Sequence, residues 1–467
     1  MKKTKIICSI GPASIREDVM TDLVLHGMDC ARINLSHASY EDSLQIIDVV
    51  RKVRKTTGIP VAIMYDTKGP ELRCGEFELD GVRILPGQMI QMVKQNVLGD
   101  SLEFSINHPE IMDSIEIGSR VLIDNALLHF EVIGKDENGV LLKALNEGLL
   151  QSHKTINVPG VSLSLPFLSE QDQKDIAFAS SHSCDYLALS FVTKKEDVEQ
   201  VRQIIEESGG DARIIAKIES QTGIQNIDEI IAASDGIMIA RGDLGVEIPL
   251  EELPIVQKMI IKKCRENGKF AIVATEMLAS MYQNPRPTRA EVSDIANAVL
   301  DGTDCVMLSG ETTVGKYPKE AVSYMAKTCE KAESMIDYSN HTVYKRKIGV
   351  SDTIAKLVID AVDYDNIKLI VTPTMTGYTA RKISNLRPKC SILACCPSSH
   401  IAEKVALNFG VKSMVTEIYQ NTDQMIEDMK KIAQEEFSLN KGDFIVVTGG
   451  FPLGQTHSTN AIRILEI

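Results

Sequence analysis

The sequence predicts an α/β chain: a (β/α)8 barrel with a β-rich domain inserted after its third strand and an α/β domain at the C-terminal end. Three observations lead there. Short apolar runs alternate with helix-length segments. The rhythm breaks once, between Pro70 and about Leu165. Eight strands can be counted before a polar stretch, Asp337–Gly349, separates them from a further series. The expected division is 1–69 with 166–338 for the barrel, 70–165 for the insert and 339–467 for the C-terminal domain.

The first strand is expected at Lys5–Ser9, followed by a helix over Ile15–His26. The second is Cys30–Leu35 with a helix over Tyr40–Lys55, and the third is Val61–Tyr65. The insert carries no long helical pattern. Its short alternating stretches, among them Met89–Val93, Val121–Ile123 and Val140–Leu145, are separated by Gly, Asp and Asn and read as a small β-rich fold. The rhythm resumes at Ser164-Leu165-Pro166. Strands are expected at Tyr186–Phe191, Arg213–Ile218, Gly236–Ala240, Phe270–Thr275 and Cys305–Leu308, with helices at Lys195–Ser208, Gly223–Ala233, Leu250–Asn267, Arg289–Leu300 and Lys319–Ser334. Eight such units, interrupted once, make a TIM barrel. The C-terminal series is strand Leu369–Thr372, helix Thr379–Leu386, strand Ser391–Cys395, helix Ile401–Phe409, strand Ser413–Thr416, helix Thr422–Phe437, and strands Phe444–Thr448 and Ala461–Leu465.

Of the 467 residues, 44% are hydrophobic and 24% charged, as in a globular protein. The formal net charge of −14 lacks the basic footprint of a nucleic-acid binder. No stretch approaches the roughly 20 apolar residues of a membrane span. The basic start Met1-Lys2-Lys3 leads into an apolar run that stops at Gly11-Pro12, too short for a signal peptide. A cytoplasmic protein is expected. Ten scattered cysteines without a CxxC read as free thiols.

In a barrel of this kind the site forms where strands end. Strand two ends Arg32-Ile33-Asn34-Leu35-Ser36-His37 and strand three Asp66-Thr67-Lys68-Gly69. Strand five ends Lys217-Ile218-Glu219, strand six Arg241-Gly242-Asp243, strand seven Thr275-Glu276 and strand eight Ser309-Gly310-Glu311. Glu219 and Asp243, at adjacent strand ends, can share one hard cation and leave positions for water or substrate oxygens. Lys217 stands in an apolar run, where a lysine snorkels or meets an anion. Beside metal carboxylates that anion suits a phosphoryl group in flight, whose equatorial oxygens need positive charge. Arg32, with its planar fork, is a second candidate for phosphate.

These segments resemble the pyruvate kinase family. The resemblance rests on Ile237–Pro249 (IMIARGDLGVEIP), Arg32–His37, Asp66–Glu71, Lys217-Ile218-Glu219, Asn284–Glu291 (NPRPTRAE) and Met307–Thr312, in order along essentially the whole chain. It implies transfer of a phosphoryl group from phosphoenolpyruvate to ADP, giving pyruvate and ATP, the final step of glycolysis. By resemblance Glu219 and Asp243 hold Mg2+ or Mn2+. Lys217 assists transfer, and Thr275 belongs to the relay that protonates the enolate. Asn34, Ser36, Asp66 and the Thr67 carbonyl hold K+. Arg32, Asn34, His37 and Arg73 surround the nucleotide and the moving phosphate. Ala240, Arg241 and Gly242 start a helix whose N–H groups receive the substrate carboxylate, in accord with anion binding at helix N-termini. Glu71 accompanies a need for potassium, the insert closes as a lid, and the assembly is a homotetramer. No further domain is expected after Ile467, unlike some relatives. The chain departs from the family pattern at Asn125-Ala126, Glu276, Ala279 and Val314. A metal-dependent lyase acting on an enolpyruvate would also use Glu219 and Asp243, and a non-catalytic effector-binding protein could share the scaffold. Neither explains the full set.

A phosphorylated effector is expected at the loop Thr372-Pro373-Thr374-Met375-Thr376-Gly377, with Arg381 one turn on and Gly450–Thr459 as the second wall. That wall has no Lys or Arg, which favours a sugar or nucleotide monophosphate over a bisphosphate.

Overall fold

The computed structural model describes residues 2–78, 80–161, 166–338, 348–364, 366–452, 456 and 458–467. Eight parallel strands close a barrel in sequential order: Lys5–Ser9, Cys30–Asn34, Ala62–Asp66, Tyr186–Leu189, Arg213–Ile218, Gly236–Ala240, Phe270–Ala274 and Cys305–Leu308. Nearly every residue in them is buried, as expected of strands covered on both faces. The helices around them are fixed by local chemistry. In Tyr40–Thr57, the Ser39 side chain accepts from the Asp42 N–H, Asp42 reaches back to the Ser39 N–H, and Gly58 ends the helix at φ +70°. Thr288 and Glu291 cap Arg289–Asp301 in the same way.

Four elements differ from the sequence expectation, three of them around the barrel and at the start of the C-terminal domain. A helix over Glu170–Ser181 was not expected, because only Ile176 and Ala179 of its apolar residues are buried and no apolar stripe betrays it. The Ser169–Asp172 capping box starts it. The helix expected at Gly223–Ala233 is two pieces, Gln221–Gln225 and Ile227–Ala233. Between them the Asn226 side chain donates to the Thr193 carbonyl at 2.8 Å. A helix over Val350–Tyr364, absent from the expectation, precedes the C-terminal strands.

The insert is a six-stranded sheet plus a two-stranded ribbon around its own core, with Phe104, Phe130 and Met92 at its centre. The C-terminal sheet has the order Val411–Val415, Ser391–Cys396, Ile367–Pro373, Phe444–Gly450, Thr459–Glu466, the last strand antiparallel. The boundaries expected at 165 and 339, and most of the Asp337–Gly349 linker, fall on residues outside those described. All ten cysteines are free. Among the described residues no helix is long and apolar enough to cross a membrane.

The helix expected over Ile401–Phe409 stops at Lys404. The residues after it leave the helix and enter the barrel. Ala406 and Leu407 pack in one cluster with Ile7, Met64, Tyr186, Ile215, Met238 and Ile272 from the barrel interior. Tyr186 Oη donates to the Lys404 carbonyl at 2.6 Å. The C-terminal domain thus supplies the barrel's floor.

In the insert, Asp124, Asn125 and Ala126 all have positive φ, with Ala126 at +62°. A Cβ there costs roughly 1 kcal/mol. Ala126→Gly is expected to stabilise the protein by up to about 1 kcal/mol. Its thermal unfolding midpoint should rise; an unchanged or lower midpoint would show that the turn carries no strain.

Candidate active site

Strand ends two to five bring one buried ion network together. Arg32 Nε donates to Asp66 Oδ2 at 2.7 Å and its Nη1 to Ser9 Oγ at 2.7 Å. Asp66, 1% exposed, also faces Lys217, whose Nζ lies 3.1 Å from Asp66 Oδ1 and 3.0 Å from Glu219 Oε1. Lys217 donates as well to Ser190 Oγ at 2.7 Å, and Ser190 Oγ donates to the Thr67 carbonyl at 2.7 Å. Burial disfavours the Lys217 ammonium, but Asp66 and then Glu219 outweigh it and hold its pKa above the ordinary lysine value. Lys217 is therefore a permanent, fixed cation.

Glu219 accepts the Phe191 N–H on Oε2 at 2.6 Å, and Phe191 sits at φ +57° to deliver it. Burial pushes the Glu219 carboxyl up, Lys217 pulls it down, and Asp243 adds like-charge repulsion. The net direction is upward, and burial is its first cause. Glu219 and Asp243 both line a cavity of about 300 Å3 between barrel and insert. Their donor atoms are hard carboxylate oxygens on one cavity, so the pair fits a divalent cation. Among the described residues no group of three or more His, Cys, Asp or Glu forms a complete cage. Further ligands would come from substrate or water.

Asn34 and Asp66 are register partners on neighbouring strands, which brings Asn34, Ser36, Asp66 and Thr67 to one edge of the mouth. Asn34 Oδ1 accepts the Ser36 N–H at 3.1 Å. The set is all oxygen and suits a hard cation, although Asp66 already faces two cationic side chains. Arg32, Asn34 and His37 line a second cavity of about 730 Å3, with Val314 on its rim. Arg73 sits apart from them. It pairs with Glu71, Nη2 to Oε2 at 2.7 Å, and donates to the His153 carbonyl, at the hinge between barrel and insert.

Strands six and seven are joined by Thr275, whose Oγ1 accepts the Gly242 N–H at 2.7 Å. Thr275 and Glu276 lie at φ +70° and +56°, a consecutive pair in a region that non-glycine residues avoid. The Arg241 side chain does not face the mouth. It donates to the Thr275 carbonyl at 2.7 Å and pairs with Asp294 at 2.7 Å, which holds that strained turn. Ala240 is the last residue of its strand.

Ser190 was missed by sequence reasoning. It directly follows strand four, Tyr186–Leu189, and its hydroxyl touches Lys217, Asp66 and Thr67. A small polar residue between an apolar strand and a loop was the available signal.

The expected effector residues separate. Thr374 and Thr376 line a cavity of about 490 Å3 in the C-terminal domain, opposite Gly450, Pro452, Thr456 and Ser458. Leu453–Gln455 and His457 of that wall lie outside the described residues. Thr372 is fully buried, with its hydroxyl turned to the Leu393 carbonyl. Gly377 sits at φ +74°, where an added Cβ would clash with Val405 Cγ1. It serves packing there. Arg381 lines a different cavity, at the barrel floor. No Lys or Arg is among the described residues of the Thr374 cavity, which contains Glu417.

Comparison with known proteins gives the same direction throughout. Residues 1–322 match the family model for the pyruvate kinase barrel domain, and residues 352–465 that for the pyruvate kinase alpha/beta domain. The chain is 41% identical to the pyruvate kinase of Clostridium acetobutylicum, over 99% of each chain. It is 40% identical to that of Clostridium perfringens over the full length of both. A solved pyruvate kinase from Cryptosporidium parvum superposes with a TM-score of 0.94 at 38% identity, covering 100% of this chain and 96% of that one. The chain therefore belongs to the pyruvate kinase family, the glycolytic phosphotransferases that move the phosphoryl group of phosphoenolpyruvate to ADP.

Proposed function

We propose that the family's reaction is carried out in this chain by the network around Lys217. The observation that carries this reading is the Lys217 ammonium itself, 9% exposed and fixed by Asp66, Glu219 and Ser190. Through Asp66 and Arg32 it is linked to the 730 Å3 cavity, and through Glu219 to the 300 Å3 cavity. Phosphoenolpyruvate would occupy the smaller cavity and ADP the larger. Lys217 and Arg32 neutralise charge on the group passing between them. Glu219 and Asp243 would hold Mg2+ or Mn2+, which when bound supplies positive charge to phosphoryl and enolate oxygens.

Thr275 Oγ1 accepts from Gly242 and keeps its own proton to pass toward the enolate carbon. The substrate carboxylate would meet Ala240, Arg241 and Gly242 through backbone N–H groups, sharing the Gly242 N–H with Thr275. The insert acts as a lid: Asn157 already donates to Glu247 across the cleft at 3.3 Å. A closed cleft keeps water from competing for the phosphoryl group. Arg73, from the hinge, would reach the nucleotide on closure. The chain works in the cytoplasm as a homotetramer, by analogy with its family. The C-terminal cavity at Thr374 and Thr376 would take a polyhydroxylated effector, bound by hydroxyls because no cation lines the described part of it.

The test is pyruvate formation from phosphoenolpyruvate in the presence and absence of ADP. Phosphoenolpyruvate consumed without ADP would favour the lyase. Asn34, Ser36, Asp66 and the Thr67 carbonyl would hold K+. Replacing K+ by tetramethylammonium is expected to lower kcat/KM about tenfold or more, a coupling of about 1.4 kcal/mol. By the family resemblance a lysine at this position accompanies independence from potassium, so Glu71→Lys, which also breaks the pair with Arg73, should reduce that dependence. Full activity without K+ would remove the monovalent site.

A further inference from the structure

A cavity of about 310 Å3 lies where the C-terminal domain meets the barrel floor, at the opposite end from the ion network. Arg213, Lys269, Arg381 and Lys382 line it, and Asp235 is the one carboxylate among its described residues. Several of these charges are already answered. Lys382 donates to Asp352 at 2.7 Å, Lys269 to the Ser234 carbonyl, and Asp235 accepts from Arg202 at 3.2 Å and from the Ile214 N–H at 2.9 Å.

Arg213 and Arg381 are not answered. Among the described residues neither makes an ion pair. Arg213 lies over the Tyr186 ring, 5.9 Å from its centroid, and its Nη1 is buried with no hydrogen-bond partner. Among the described residues Arg381 Nη1 donates to the Thr376 carbonyl alone, at 3.0 Å. The two guanidinium groups repel one another. Burial first, and then the Arg213 charge, bring the Arg381 pKa down to about 9. A pair of half-buried like charges is costly unless something negative joins them.

A second observation concerns the ligand's other end. Asn408, 3% exposed, lines the same cavity and its Oδ1 has no partner among the described residues. An amide oxygen does not receive an anion; it wants a hydroxyl or N–H. Phe270 and Tyr378 contribute ring surface to the wall. The volume is at the small end of small-molecule pockets, about 300–1,000 Å3.

We propose that this cavity binds a small phosphomonoester, its phosphate forked between Arg213 and Arg381 and a hydroxyl or N–H of its sugar or nucleoside part on Asn408. Two planar guanidinium groups suit a phosphate dianion. The site is distinct from the Thr374 cavity. Its position also has a mechanical meaning. Arg213 opens the strand that ends at Lys217 and Ile218, next to Glu219, and Phe270 opens the strand that leads to Thr275. An occupant would brace the C-terminal domain against the roots of the two strands that carry phosphoryl transfer and proton relay.

The experiment is calorimetric titration of the full-length enzyme with ribose 5-phosphate, AMP, inorganic phosphate and ribose. With the Thr374 cavity blocked by Thr374→Glu/Thr376→Glu, at least one of the two monoesters is expected to bind with one site per chain, more tightly than inorganic phosphate, and ribose not at all. Arg213→Gln/Arg381→Gln should weaken that binding at least tenfold, and Arg213→Lys/Arg381→Lys should restore part of it. Without ligand, the Gln variant should melt no lower than the parent, since it relieves a repulsion. Thr374→Glu/Thr376→Glu should leave the affinity of the Arg213–Arg381 site unchanged. The proposal is overturned if neither monoester binds, if inorganic phosphate binds as tightly, or if binding survives in the Gln variant. It is equally overturned if binding is lost in the Thr variant, or if the unliganded Gln variant melts lower, which would make the arginines structural. The heats read binding without turnover, so none of these failures touches the assignment of the reaction.

Discussion

Lys217→Met is expected to lower kcat for pyruvate formation by about 10³-fold or more, the scale for removing one preorganised charge from a developing anion. Met fills the space of the lysine stem in the apolar run Ile214–Ile218 and leaves Glu219 and Asp243 in place. Two readouts separate a chemical loss from a collapsed site. Mn2+ affinity should not fall, because the variant removes a cation that competes for Glu219 Oε1, 3.0 Å away. Pyruvate incubated with the variant in D2O should still exchange its methyl protons, because Thr275 and its Gly242 partner are untouched. Near-normal turnover would mean that the buried ammonium only holds Asp66 and Glu219 together.

Glu219→Gln should have an effect of similar size on turnover with the opposite signature in metal binding. The amide can still accept the Phe191 N–H, so the strained backbone at φ +57° keeps its partner. Its NH2 group, however, would confront the Lys217 ammonium, and the corner would lose one of the two carboxylates on the 300 Å3 cavity. Mn2+ binding is expected to weaken at least tenfold, about 1.4 kcal/mol, and raising the Mn2+ concentration should recover part of the activity. Unchanged Mn2+ affinity would place the divalent ion elsewhere.

The barrel was legible because most of its strands are continuous apolar runs that end in a polar residue. Arg213 does not disturb the pattern, since it stands at a strand start, where its head escapes the apolar interior. The strand ends were legible for the same reason: a charged residue directly after four or five apolar ones has few places to go but the mouth. Ser190 escaped because serine carries no charge to mark it, and its role appears only when Lys217, Asp66 and Thr67 converge on its hydroxyl. The orientation of Arg241 was not legible either. The Arg241-Gly242-Asp243 segment places its side chain beside the mouth in sequence, while the fold directs it to Asp294 and the Thr275 carbonyl, 53 and 34 residues away. Arg381 shows the same limit from the other side. Helical spacing put it one turn past the threonine loop, but spacing alone does not say which face of a short helix meets the barrel floor. The helix Glu170–Ser181 went unseen because capping chemistry at Ser169 and Asp172, rather than an apolar stripe, defines it.

The floor supplied by Ala406 and Leu407 has a consequence for how the chain is made. A ribosome releases the last barrel strand, Cys305–Leu308, about a hundred residues before the plug that seals it. At about 5–20 residues per second, the nascent barrel waits roughly 5–20 s with the apolar side chains of its lower end uncovered. During that interval it is a client for chaperones and a partner for any neighbouring nascent chain with a similar opening. A messenger cut short before the codon for Lys404 would yield a product whose eight strands are all present and whose floor stays uncovered.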